Sequence, residues 1–276
     1  MKNLKLSEIW IYPIKSLGGI RLSSAKVMEK GLQFDRRFML VDDDGKFMTQ
    51  RVFPAMALFK LSIQDTTLTI HHQQQSIEVP VVPAINSPAI TVQIWDNTVQ
   101  AHEVHPSYSQ WFSERLGISC RLMFFPEEYE RPVDPQYKVN DEHVSFADAY
   151  PFLIIGQASL DDLNRRLKEP VPMNRFRPNL VFTGGEPYEE DTWREFTVGQ
   201  NTFVGVKPCA RCVLTTVNQD TAEKGTEPLK TLASYRNRNN KIYLGQNLVA
   251  INHTSIQVGD TLSVLSTVAN HMITTP

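Results

Sequence analysis

Cysteine is scarce in this chain: 276 residues carry three, Cys120, Cys209 and Cys212. A chain of this length has no need of disulfide staples, so a secreted disulfide scaffold is excluded and a reducing compartment fits better. An excess of one charge is also missing. The 28 lysines and arginines face 30 aspartates and glutamates, a net charge of −2, which leaves no bulk attraction to nucleic acid or to an anionic membrane. Any anion site must therefore be local. Long apolar runs are absent too: stretches such as Pro151 to Ile155 fall far short of a membrane span, and Met1 to Ser7 lacks the apolar core of a secretory signal. No dinucleotide-type Gly-x-Gly-x-x-Gly occurs, nor the lysine-and-hydroxyl ending of a phosphate-binding P-loop, and no repeat or low-complexity tract. Together these absences predict a cytoplasmic protein with neither a membrane nor a nucleic acid as partner.

What is present is a core-forming chain, 41% hydrophobic, enough for one large domain or two modest ones. Its first hundred residues read as short strands between turns. Leu6 to Tyr12 is apolar and aromatic; Arg37 to Val41 and Lys46 to Gln50 flank Asp42-Asp43-Asp44-Gly45, a hairpin signal. Strands are predicted again near Leu58 to Ile63, Leu68 to His72, Ser76 to Val82, Ile90 to Ile94 and Thr98 to Val104. Such close spacing favours a barrel or sandwich. A helix is predicted over Ser107 to Leu116 with Gly117 as its C-terminal cap, marking a domain edge. Pro126 to Asp141, rich in proline and charge, reads as a surface loop or linker. Beyond it Ser159 looks like the cap of a helix running to Leu167. Strands follow at Leu180 to Thr183, Glu195 to Val198, Thr202 to Val206, Tyr243 to Ile251 and Thr261 to Val264, with a helix at Pro228 to Arg236. The fold class is mostly β with some α.

The sharpest local feature is Lys207-Pro208-Cys209-Ala210-Arg211-Cys212. Four readings compete. It is half of a zinc site, a redox dithiol, one metal-ligating thiolate beside an incidental cysteine, or a pair of inert core cysteines. Zinc needs four ligands, and the only similarly spaced pair is His102 and His105, far upstream. A thioredoxin-like dithiol would precede a helix, whereas Val213 to Val217 is β-branched and strand-like. Lys207 and Arg211 stabilise a thiolate, the form that binds soft metals.

Two further groupings carry chemistry. Lys15-Ser16-Leu17-Gly18-Gly19, Arg36-Arg37 and Arg175-Phe176-Arg177-Pro178-Asn179 offer amides, a hydroxyl, an ammonium and guanidinium forks to phosphate or carboxylate. Each alone also fits a solvated surface charge or a plain turn. Asp148 lies in an apolar stretch, where desolvation would raise its pKa toward proton transfer. A turn or cap role just before Pro151 is the plainer alternative.

These features occur in an order that resembles proteins joining a MOSC N-terminal β-barrel domain to a MOSC domain. The likeness runs from Tyr12-Pro13-Ile14-Lys15-Ser16 through Phe34 to Val41, Ser145-Phe146-Ala147-Asp148 and Phe176 to Asn179, to Cys209 to Val217 and Tyr243 to Asn247. It implies a β-barrel-like domain over residues 1–120 and a β-barrel MOSC domain with peripheral helices over 121–268. More narrowly, the chain is similar to bacterial relatives of the amidoxime reducing components. That likeness implies bound molybdenum cofactor, with Cys212 as protein ligand to the metal and Arg211 helping to hold the cofactor. Lys15, Ser16, Arg177 and Asn179 would contact the pterin or its terminal phosphate, joined by Arg36 or Arg37, and Asp148 would lie near the metal. The expected reaction is reduction of N-hydroxylated small molecules, in a detoxifying role. A family-level expectation of pyridoxal phosphate binding accompanies it. No cysteine follows Cys212, so electrons are expected from a separate flavoprotein reductase or ferredoxin-like protein. A rival reading is a non-redox carrier of the cofactor, or of sulfur as a Cys212 persulfide.

Overall fold

The computed structural model describes residues 2–269. The first half contributes β1 (Lys5–Ile11), β2 (Ile20–Leu22), β3 (Ser24–Met28), β4 (Gly31–Leu32), β5 (Phe38–Val41), β6 (Lys60–Gln64), β7 (Thr67–His72), β8 (Gln75–Pro80), β9 (Ala89–Ile94), β10 (Asn97–Glu103) and helix α1 (Pro106–Leu116). The second contributes β11 (Arg121–Phe124), β12 (Phe152–Gly156), α2 (Gln157–Arg166), β13 (Leu180–Thr183), β14 (Trp193–Val198), β15 (Asn201–Arg211), α3 (Leu229–Ala233), β16 (Asn237–Arg238), β17 (Lys241–Ala250), β18 (Ser255–Gln257) and β19 (Leu262–Thr267). The fold is mostly β, as the sequence predicts. Among the described residues no helix is long and apolar enough to cross a membrane.

The largest sheet has nine strands in the order β2-β1-β13-β12-β17-β15-β14-β19, with β16 paired to β17. Strand β1 runs antiparallel to both β2 and β13, so the chain's first strand is built into the sheet of its second half. Strand β11 pairs back onto β5 and β10. Alternation explains β1: Leu6, Ile9 and Ile11 are buried while Lys5, Ser7, Glu8 and Trp10 are partly open. The main core likewise spans both halves, packing Ile9, Ile11 and Phe38 with Phe152, Leu180 and Trp193. Each such side chain contributes roughly 1.5–3 kcal/mol on burial.

Two local expectations are corrected and a third is met in part. The arm after Asp42–Gly45 returns beside β5, the Asp42 and Met48 amides donating to the Lys46 and Leu40 carbonyls at 2.9 and 2.8 Å, but Val41 and Phe47 form only an isolated bridge and the arm is not an extended strand. The helix predicted over Pro228 to Arg236 shrinks to the five residues of α3. Ser159 does not cap α2, which starts two residues earlier with Gly156 at its N-cap. Instead the Ser159 hydroxyl bonds both carboxylate oxygens of the fully buried Glu190 at 2.9 Å, and the Gly156 amide donates to the same carboxylate at 3.1 Å. A carboxylate distant in sequence does the capping.

That placement has a pH signature. Burial and the neighbouring Asp191 charge push the Glu190 carboxyl from 4.5 up to about 7. The folded state therefore holds a proton that the unfolded chain releases. Its stabilisation is complete below pH 4.5 and is lost as pH rises through the raised folded-state value. Glu190→Gln is expected to flatten the stability profile between those limits, as read by urea melts at a series of pH values.

Candidate functional site

One cleft, enclosing about 780 Å³ including its mouth, gathers Lys15, Ser16, Arg36, Asp148, Arg177, Asn179, Arg211 and Cys212 from opposite ends of the sequence. Arg51, Tyr150, Cys209 and Asn247 also line it. Five cationic side chains thus surround a single lining carboxylate, in a chain whose net charge is −2. In a chain without bulk positive charge, this is a local concentration of cations of the kind an anion site needs.

Backbone strain sets the cations. Ser16, Arg36 and Arg177 all take left-handed conformations, with φ of 64°, 53° and 55°, which are uncommon for non-glycine residues and cost backbone strain. The guanidinium groups of Arg36 and Arg177 both stack on the Tyr12 ring, 4.6 and 4.1 Å from its centroid. Arg36 Nη1 also bonds Asp35 at 2.5 Å and Asn179 Oδ1 at 3.3 Å. Arg177 Nη1 donates to the Leu17 carbonyl at 2.7 Å, while its Nη2 is buried without a partner, as is Arg211 Nε. Burial lowers the Arg177 pKa to about 10. Buried donors left open in this way suit an anion.

The segment Lys15 to Gly19 serves differently from the sequence reading. The amides of Lys15, Leu17 and Gly18 are bonded to Phe38, Ile14 and Phe59 carbonyls, so they are not offered to a ligand. Gly19 is needed for packing: a Cβ there would lie 2.5 Å from the Tyr12 ring. The Arg36-Arg37 doublet also divides. Both residues precede β5, and only Arg36 faces the cleft; Arg37, 2% exposed, is spent on Glu127 at 2.5 Å and the Asp35 carbonyl at 2.7 Å. Arg37 is structural, which corrects its expected place among the cofactor contacts.

Asp148 does not behave as a desolvated acid. Burial pushes its carboxyl up, but the charges of Lys15 and Arg51 and hydrogen bonds from Lys15 and Trp95 outweigh this and hold it well below the usual carboxylate range. Its side chain, 59% exposed, reaches open space, while its partner Lys15 is only 6% exposed. Lys15 Nζ donates to Asp148 and to the Phe146 carbonyl at 2.8 Å, leaving one donor for a ligand. The Asp148 segment is held from behind by Arg131, whose guanidinium bonds the Ser145, Ala147 and Asp148 carbonyls at 2.9, 2.6 and 3.1 Å. Arg131 is buried, although its stretch reads as a surface loop.

The cysteine motif straddles the end of β15, whose register against β17 shifts between Pro208 and Ala210, a bulge of the kind that re-aims side chains beside functional sites. Val213–Thr216 is then a 3₁₀ turn, not the strand its β-branched residues suggest. The Cys212 carbonyl is its first acceptor, taking the Thr215 amide at 3.1 Å and hydroxyl at 3.0 Å. Arg211 Nη1 donates to Cys209 Sγ at 3.0 Å and its Nη2 to the Phe176 carbonyl at 2.6 Å. Lys207 turns to the Tyr137 ring, 3.9 Å away. The cation at sulfur therefore belongs to Cys209. The split zinc reading loses its histidines: His102 holds the Ser87 carbonyl and the Tyr129 hydroxyl, and His105 caps α1. Among the described residues no three of His, Cys, Asp and Glu gather as a metal site.

Arg51, Arg131 and Trp95, which meet around Asp148, carry no motif and were missed from sequence. Only the left-handed backbone of Trp95, invisible in sequence, marks any of them. Residues 3–119 match the MOSC N-terminal beta barrel domain and residues 141–263 the MOSC domain, and the chain belongs to the family that joins the two. Among its relatives, mitochondrial amidoxime-reducing component 1 of Mus musculus is 34% identical over 280 residues, covering 94% of this chain and 82% of that protein. The Homo sapiens protein of the same name is 32% identical with the same coverage. Molybdenum cofactor sulfurase of Oryza sativa subsp. japonica is 29% identical over 94% of this chain but 34% of its own length.

Lys15 makes the anion site testable by pH. Burial lowers its pKa from 10.5 to about 8, only partly offset by Asp148, so the ammonium is present below that pH and lost above it. Sulfate, whose charge is constant there, should bind roughly ten-fold more weakly at pH 9.5 than at pH 7. Lys15→Met should bind weakly at both, as calorimetric titration will show.

Proposed function

We propose that the chain binds molybdenum cofactor and reduces N-hydroxylated compounds, the class that includes hydroxylaminopurines, amidoximes and hydroxylamines. The observation that carries this is the cationic cleft, with two unpartnered guanidinium nitrogens, adjoining the Cys212 turn in a chain whose relatives are named amidoxime-reducing components. The donor set fits the group. Ser16, Arg177, Arg211 and the free donor of Lys15 suit a terminal phosphate and pterin edge, Arg36 adds charge beside them, and Cys212 offers the soft thiolate that molybdenum takes. Asn179 acts from beneath, by holding Arg36.

When bound, the cofactor supplies the two-electron chemistry that breaks the N–O bond. The overall change consumes two electrons and two protons and yields the N–H compound and water. Electrons come from a separate flavoprotein reductase or ferredoxin-like protein. The chain's part is to bind, orient and hold protons. Asp148 as an anion keeps the Lys15 ammonium at the cleft, so the pair, rather than a neutral Asp148, is the proton-holding unit. Arg131 fixes that pair's backbone, and Arg211 keeps Cys209 engaged, leaving Cys212 as the thiol for the metal.

A second reading, carriage of the cofactor or of sulfur on a Cys212 persulfide, is favoured by the likeness to molybdenum cofactor sulfurase. Turnover separates the two. Protein from a host that makes the cofactor is expected to hold near-stoichiometric molybdenum and to consume reductant continuously with a hydroxylaminopurine. Cys212→Ser should lose both metal and turnover, and Cys209→Ser should keep the metal. Zinc in place of molybdenum, or one stoichiometric release of sulfur without turnover, would sink the reductase reading.

A further inference from the structure

The turn joining β9 to β10 carries Trp95 at its first central position, with φ of 56°. Two-residue hairpin turns of left-handed backbone ordinarily use Asn, Asp or Gly there, so a tryptophan is an expensive choice for the turn alone. Its side chain explains the placement. Indole Nε1 donates to Asp148 Oδ1 at 3.2 Å, and the Arg51 guanidinium lies 4.0 Å from the ring centroid. The Phe47 ring packs at 5.0 Å. The residue is nevertheless 39% exposed, whereas Trp10, Trp111 and Trp193 pack in or against the cores. Arg131 bonds Asn97 Oδ1 at 3.2 Å and the Asp148 carbonyl at 3.1 Å, locking the hairpin tip to the cleft wall.

We infer that Trp95 is a substrate-selecting platform beside the cleft, set against its lining residues Arg51 and Asp148, on which a planar heteroaromatic ring bearing N–H groups stacks. Two features define that ligand class. A partly exposed indole ring, with a guanidinium 4.0 Å from its centroid, takes a flat π system far better than an aliphatic chain. Asp148, anchored to the indole edge and held ionised by Lys15 and Arg51, only accepts hydrogen bonds, so it favours an amino or hydroxylamino edge over a carbonyl edge. The inference rests on the proposed reductase reading and adds to it a residue that selects flat heteroaromatic substrates over aliphatic ones.

The test compares the holoenzyme with Trp95→Ala and Trp95→Phe, using a hydroxylaminopurine and an aliphatic hydroxylamine, with adenine as an unreactive binding probe read by tryptophan fluorescence. Stacking predicts that Trp95→Ala raises KM for the hydroxylaminopurine about ten-fold, that KM for the aliphatic compound changes less than about two-fold, and that Trp95→Phe recovers part of the KM loss; KM is the readout because either variant also removes the indole hydrogen bond to Asp148, which acts on kcat with both substrates. Adenine should quench the parent protein's fluorescence and not that of Trp95→Phe. Equal rises in KM for both substrates, an unchanged KM ratio, or a fall in bound molybdenum would overturn the platform. If the parent protein reduces neither substrate, the reductase reading fails, while the adenine titration still decides whether Trp95 stacks a base.

Discussion

Everything at the cleft depends on β1 being inserted between β2 and β13. That pairing brings Trp10 and Asn179, 169 positions apart, into mutual contact: the Trp10 amide donates to the Asn179 carbonyl at 2.8 Å, and Asn179 Nδ2 donates to the Trp10 carbonyl at 3.1 Å. The same Asn179 Oδ1 accepts from the Leu153 amide and from Arg36, both at 3.3 Å. One buried side chain thus ties β1, β12 and the Arg36 loop together. Lys15 and Ser16 leave the end of β1, and Arg177 immediately precedes β13, so strand register alone sets one half of the cation cluster against the other. A slip of one residue would exchange every inward and outward side chain.

Gathering those cations works against folding. Arg131 and Arg177 are buried with carbonyl acceptors and no direct carboxylate, and burial lowers the pKa of each to about 10. Stacking on Tyr12, worth roughly 0.5–2 kcal/mol per cation, and the Arg36 pair with Asp35 recover part of that cost. An anion that bound the cleft in the folded state alone would offset more of it and raise stability with its concentration. The strained backbone at Ser16, Arg36 and Arg177 belongs to the same account, since each distortion is tolerated where the surroundings over-determine it.

Much of this was legible in sequence, and the misses share a cause. Short apolar runs between turn signals located β1, β7, β10 and β13, and the ordered motifs named eight of the residues that line the cleft. Of the Arg36-Arg37 doublet, one member of which was expected at the cleft, Arg36 is the one that lines it, from a left-handed kink before β5 and not from a strand. Asp148 was misjudged because its apolar neighbours in sequence are not its neighbours in space, which are Lys15, Arg51 and Trp95. Arg131, Arg51 and Glu190 escaped for the same reason: each acts on a backbone or carboxylate distant in sequence, a relation that local pattern cannot encode. Val213–Thr216 shows the converse, a β-branched run bent into a turn by capture of the Cys212 carbonyl.

That turn also explains why two cysteines three residues apart are not equivalent. Cys209 lies on β15, with its sulfur held by Arg211, and packs against a cluster that includes Leu153 and Phe176. Cys212 lies just past the strand, where its own carbonyl opens the 3₁₀ turn, and Arg175 Nε grips the Thr215 carbonyl of that turn at 2.8 Å. A thioredoxin-like dithiol would need a helix after the motif to lower the leading thiol's pKa, and one short 3₁₀ turn provides no comparable dipole. The junction holds the two cysteines differently, Cys209 with its sulfur engaged by a guanidinium and Cys212 at the start of a braced turn in the cleft wall. A braced turn suits a thiol whose task is to hold something in place.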